Sequence, residues 1–139
     1  MSDPADIITR CTQIVAALLE AKEEVGITHC ELRFEGQGVD MVTPGIIVLL
    51  SPPTVPLGST RGMPWQSWEV TLFILPRAKA VASDEITDAM RIAQKAHMVV
   101  RRTARDLVLN ADEPFSIVRS TPTQVICTVS YDAPFNLFP

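Results

Sequence analysis

Gly45-Ile46-Ile47-Val48-Leu49-Leu50 is the stretch whose reading decides the fold. It is a continuous apolar run rich in β-branched side chains. Pro44-Gly45 before it and Pro52-Pro53 after it hold it to the length of a strand. A strand with no polar alternation has no wet face, so the run predicts a central strand buried on both faces. Working outward, Cys30, Leu32 and Phe34 alternate with Glu31, Arg33 and Glu35, the period of a strand with one wet face. Residues 36–45 read as a loop. On the other side, a strand is predicted from about Gln66 to Leu75. Trp68, Val70, Leu72 and Ile74 share one face, Glu69, Thr71, Phe73 and Leu75 share the other, and Pro76 closes it. The last region reads as a hairpin: Phe115 to Arg119, a turn at Ser120-Thr121-Pro122-Thr123, and a return from Gln124 to Tyr131.

Two helices complete the pattern. In the first, Asp3 is a candidate cap, Pro4 suits the first helical position, and Ile7, Cys11, Ile14, Val15 and Leu18 form one apolar face. Gly26 is placed to end it in a left-handed conformation. The second is predicted to start at a Ser83 cap, with Asp84 and Glu85 in its first turn, and to extend to about Leu109. Ile86, Met90, Ala93, His97, Val100, Ala104 and Val108 would form its apolar stripe. The small residues Ala89, Ala93 and Ala96 would let it lie close on a sheet. The sum is one α+β domain over residues 1–139, with a mixed, mainly antiparallel sheet of about four to five strands and two main helices packed on it.

Composition bounds the function. With 139 residues, 47% hydrophobic and 20% charged, the chain has enough apolar mass for a core. A net charge of −4 argues against a surface that grips a phosphate backbone. Cys11, Cys30 and Cys127 are odd in number and none sits in a CxxC pair, which argues against a disulfide framework or a zinc knuckle. Each falls on an apolar face and reads as a small hydrophobe. Met1-Ser2-Asp3-Pro4 lacks the order of a signal peptide, and no apolar run approaches the roughly 20 residues of a membrane helix, so a reducing cytoplasm is the expected setting.

Catalytic signatures are sparse. Gly36-Gln37-Gly38 lacks the third glycine of a dinucleotide loop, and there is no GxSxG and no HExxH. His29 and Cys30 are strand neighbours facing opposite ways, so they chelate poorly. Asp84, Glu85 and Asp88 read as dipole partners at a helix start rather than as metal ligands. His97 reads as a core histidine satisfied by one hydrogen bond, with a buried base or protonation switch as the functional alternative. Arg101, Arg102 and Arg105 read as favourable charge near a helix C-terminus, with an acidic partner or a phosphate as the alternative. No catalytic, cofactor-binding or metal residues are expected, and no enzyme activity.

Two features resist a purely structural reading. The Pro-rich loop at about 51–65 carries Val55, Leu57, Arg61, Met63 and Trp65. The arm at 133–139 carries Phe135, Leu137 and Phe138. Both hold more apolar surface than an isolated chain leaves in water, so these eight residues are the interface candidates.

The order of elements, with Gly45 to Leu50, a long loop, Trp68-Glu69-Val70-Thr71-Leu72-Phe73-Ile74-Leu75-Pro76, the Ser83-Asp84-Glu85 helix start and the Val125 to Tyr131 strand, resembles the tail-terminator (minor tail, tail completion) proteins of long-tailed phages. The likeness spans nearly the whole chain and lies in pattern and order, not in a diagnostic motif. It implies a mixed sheet with helices on it, assembled as a hexameric ring that caps the tail tube, stops its polymerisation and forms the head-tail joining surface. Its partners would be copies of itself, the tail-tube protein and head-tail connector proteins. DNA would pass through without specific binding, and the protein would sit at the neck end of the tail in the virion after assembly in the host cytoplasm. The weight of proline in the loop and the apolar arm depart from that pattern. Two alternatives stand beside it: another phage head-tail connector or tail subunit, and a small α+β enzyme or ligand-binding domain using His97 or a Trp65/Trp68 pocket.

Overall fold

The computed structural model describes residues 4–34, 36, 43–52, 65–121 and 124–136. Along the chain run α1 (Pro4–Glu20), α2 (Lys22–Val25), β1 (His29–Phe34), β2 (Gly45–Ser51), β3 (Trp65–Leu75), α3 (Ala82–Thr103), β4 (Val108–Leu109), β5 (Phe115–Thr121) and β6 (Gln124–Asn136). The strands form one sheet in the order β1-β2-β3-β6, with β4 and β5 both pairing β6. Only β1 and β2 run parallel; the other pairs are antiparallel. The architecture is α+β, with a six-stranded, mostly antiparallel sheet and two main helices.

β2 is central, as its uniform apolarity requires. It pairs β1 on one edge and β3 on the other, and Ile46, Ile47, Val48 and Leu50 are all buried. Period-two alternation then assigns the faces. Ile46, Val48 and Leu50, Val70, Leu72 and Ile74, and Cys127, Val129 and Tyr131 belong to one core cluster with α1 and α3. Thr71, Ser130 and Thr128 fall on the opposite face, where the Thr71 and Ser130 hydroxyls lie 3.4 Å apart. Ile47 and Leu75, buried residues of that second face, stand outside the helix-facing cluster.

The two main helices dock on the sheet through their apolar faces. α1 contributes Ile7, Cys11, Ile14 and Leu18 to the core, the stripe read from the sequence. Gly26 follows α2 at φ 89°, with its N–H donating to the Lys22 carbonyl at 2.8 Å. Ala89, Ala93 and Ala96 bury against the sheet, and the small stripe lets α3 approach β6 and β3 closely.

Three expectations about α3 need correction. It ends at Thr103, not near Leu109, because residues 108–109 pair with β6 as the short strand β4. Its buried stripe is Glu85, Ala89, Ile92, Ala93, Ala96, Val99 and Val100, so Met90 faces solvent at 42% exposure. Its N-cap position is Val81, with no side-chain cap. Ser83 lies inside the helix, and its carbonyl accepts from the Thr87 hydroxyl at 2.8 Å. Glu85, besides its place near the positive helix end, is 5% exposed, and its Oε1 accepts from the Val125 N–H at 3.3 Å.

At the other end, the expected C-terminal arm is in part a strand. β6 runs on to Asn136, pairing Ala133 with Trp68 and Asn136 with Trp65. Replacing Leu72 with Ala at the centre of this core is expected to cost about 2–5 kcal/mol, and Ala96→Leu about 1–3 kcal/mol by overpacking the α3–sheet contact. Urea unfolding followed by circular dichroism measures both. Values near zero would mean that the α3–sheet interface is not close-packed.

Candidate functional site

The early end of α3 shapes the main concavity among the described residues. Ala104 takes φ −136°, ψ 80°, and the chain leaves the helix axis. Asn110 then anchors it to β6. Its N–H donates to the Ser130 carbonyl at 2.9 Å, its Nδ2 donates to Asp132 Oδ1 at 3.0 Å, and its Oδ1 accepts the N–H groups of Asp112 and Glu113. Between the last turn of α3 and this returning segment lies a cleft of about 640 Å³.

His97 and Tyr131 stand side by side in that cleft. His97 Nδ1 and the Tyr131 hydroxyl are 2.6 Å apart, and the rings stack at 5.7 Å between centroids with a 17° tilt. Tyr131 is 1% exposed, while His97 is half-buried. The imidazole and the phenol share one hydrogen bond, whose direction follows the imidazole tautomer. Burial, and then the nearby Arg101 guanidinium, lower the His97 pKa below its ordinary 6.5. Burial pushes Tyr131 above its ordinary 10, against a smaller opposing pull from Arg101. Arg101, Arg102 and Arg105 form the cationic rim, and Val100, Leu107 and Val108 the apolar wall. Among the described residues lining the cleft there is no Ser, Cys, Asp or Glu to serve as nucleophile or carboxylate base.

A second surface lies beside the first. α3 packs on β6 and β3 and leaves the outer strand uncovered. Phe115 and Ile117 pair with Val129 and Cys127, on the helix side of the sheet, yet are 42% and 36% exposed. Met90 at 42% and Leu109 at 39% continue the strip, and a mainly apolar groove of about 320 Å³ runs along Met90, Leu109, Phe115 and Val129. On the other face of the same edge, Val118 is 52% exposed. The far edge of the sheet differs. β1 carries His29, Glu31 and Arg33, with the Arg33 guanidinium donating to Glu31 Oε1.

Compared with protein-family models and with curated protein sequences, the chain matches none.

The cysteines behave as small hydrophobes. Cys11, Cys30 and Cys127 are buried, free thiols, each pushed up to about 12 by burial. His29 is exposed while Cys30 is buried, as strand alternation requires. Asp88 is ion-paired with Lys79 at 3.1 Å and Arg91 at 3.5 Å. Of the interface candidates, Trp65 and Phe135 belong to the paired ends of β3 and β6. Val55, Leu57, Arg61, Met63, Leu137 and Phe138 lie outside the described residues. No described helix is long and apolar enough to cross a membrane.

Sequence reasoning found the β5–β6 hairpin but missed β4 and the cleft. Both depend on where α3 stops, and no glycine or proline lies between Thr103 and Leu109 to announce it.

The lowered pKa of His97 has a definite sign. Below pH 6.5 the unfolded chain binds the proton that the folded chain resists, so this contribution to stability is full above 6.5 and is lost as pH falls below it. Thermal melts between about pH 7.5 and pH 5.5 are expected to fall more steeply for the wild type than for His97→Gln. Parallel slopes would show that His97 titrates as a free imidazole.

Proposed function

We propose that the protein is a structural subunit that works by self-association into a ring, a tail-terminator-like component of a long-tailed phage. The observation that carries this reading is the apolar outer edge: Phe115, Ile117 and Val118 exposed on β5, with Met90 and Leu109 continuing the strip. Protein edges exposed to water are ordinarily blunted with charge or proline, because free strand edges recruit other chains. β1 has that charge and β5 carries only Arg119 near its end. One sheet edge suited to receive a neighbour and a different opposite edge suit head-to-tail contacts, which close into rings when the rotation allows. The α+β build with its long central pairing agrees with the architecture that the resemblance implies. In this reading the ring, a hexamer in the resembled family, caps the tail tube, stops its growth and presents the head-joining surface. It meets tail-tube protein below and connector proteins above, and DNA passes without specific binding. It resides at the neck of the virion after assembly in the host cytoplasm, and catalyses nothing.

Light scattering across concentration, with and without tail-tube protein, tests the association. The wild type is expected to form a closed oligomer. Ile117→Lys with Val118→Lys is expected to abolish it while leaving the melting temperature nearly unchanged, since exposed substitutions usually shift stability by only about 0.5 kcal/mol. Tails assembled without the protein should be of uncontrolled length by electron microscopy. A strict monomer at all concentrations that ignores tube protein would remove this reading.

A second reading, a small ligand-binding domain or enzyme using His97, is favoured by one observation. The His97–Tyr131 pair opens onto a solvent-connected cleft rather than lying in a dry aliphatic shell.

A further inference from the structure

We infer that the cleft at the end of α3 is a binding site for a small organic phosphate, an anion of mononucleotide size with a flat or apolar body. Charge is the first argument. Arg101 and Arg102 lie in the last turn of α3 and Arg105 just beyond it, and all three line the same cleft. Among the described residues no carboxylate pairs with any of them; the adjacent Asp106 is taken by Arg10. Favourable charge at a helix C-terminus answers a partial charge of only about −0.5, so one cation suffices and three exceed the need. The excess matches a phosphomonoester, which carries about −1.5 to −2 near neutral pH and offers several acceptor oxygens to guanidinium forks. A carboxylate carries only about half to two thirds of that charge. The chain as a whole is acidic at −4, so this concentration of positive charge is local and against the overall balance.

Shape is the second argument. The volume of about 640 Å³ falls within the range of small-molecule sites. Its wall is apolar at Val100, Leu107 and Val108, and the half-buried His97 ring, backed by Tyr131, adds an aromatic surface suited to a planar body. His97 is the one described lining group besides the arginines that can carry positive charge, and a bound phosphate would favour its protonated form. The arginines of the site lie off the exposed β5 strand, although Leu109 borders both surfaces, so the two are tested with separate variants.

Calorimetric titration of the full chain with adenosine monophosphate, inorganic phosphate, adenosine and benzoate tests the proposal. Saturable binding of the nucleotide is expected at millimolar or lower concentration, about tenfold tighter than phosphate, with adenosine and benzoate weaker still. Arg101→Ala with Arg105→Ala should weaken nucleotide binding by about tenfold or more, and the double Lys variant should retain part of it. Arg91→Ala with Lys95→Ala, exposed on another face of α3, should leave it unchanged. Nucleotide binding should also raise the His97 pKa in NMR titrations. The Ile117→Lys, Val118→Lys variant should bind normally, so failure of this site and failure of ring assembly are read separately. No saturable nucleotide binding, equal affinity for phosphate alone, or affinity indifferent to the two arginines would each overturn the proposal.

Discussion

The pairing of β3 with β6 is the constraint on which the rest of the structure depends. Ten residue pairs run from Trp65 with Asn136 to Ile74 with Cys127. β6 is thereby held along one edge from Cys127 to Asn136, and its other edge is free to take both β5 and β4. Side chains on this ladder must alternate, so fixing one register places Val70, Leu72 and Ile74 beside Cys127, Val129 and Tyr131 on the helix side. A shift by one residue would turn Thr71, Ser130 and Asp132 into the core, where their unpaired polar groups would be costly.

From that face follows the position of α3. The alanines at 89, 93 and 96 permit a close approach, and the helix lies over β6 and β3 because the long apolar ladder is there. Two consequences come from the same placement. The helix is too far inboard to cover β5, so Phe115 and Ile117 stay exposed on a face that is elsewhere buried. Its last turn overhangs Tyr131, and the chain returning through Asn110 leaves a cleft with His97 and the arginines around it. The apolar edge and the cationic cleft are thus neighbours with one cause.

Their chemistry remains distinct. The edge is mainly apolar, with Arg119 near the end of β5, and suits contact over area, where desolvation drives association. The cleft concentrates guanidinium groups around a hydrogen-bonded aromatic pair, suited to a charged group of defined shape. Neither needs the other for its physical rationale.

Much of the fold was legible from local pattern. The uniform run at 46–50 marked the central strand, alternation placed both faces of β3, and the 3.6-residue period identified the α1 stripe. Those signals are strong because burial demands them of each residue in place. The core alanines and the buried cysteines were legible for the same reason. The interface candidates drawn from apolar composition were harder to judge: Trp65 and Phe135 belong to strand pairing, and most of the others lie outside the described residues. The candidate site itself was legible only as separate parts, His97 in an apolar stripe and the arginines as charge at a helix end. What joined them was tertiary: helical preference runs on past Thr103 without a stop signal, and hydrogen bonds to β6, made only when the sheet exists, end the helix. The sequence by itself therefore determined the elements, their faces and the class of fold. Only the tertiary structure decided where α3 stops, which edge stays apolar, and that His97 meets Tyr131, because each of these depends on contacts between segments far apart in the chain.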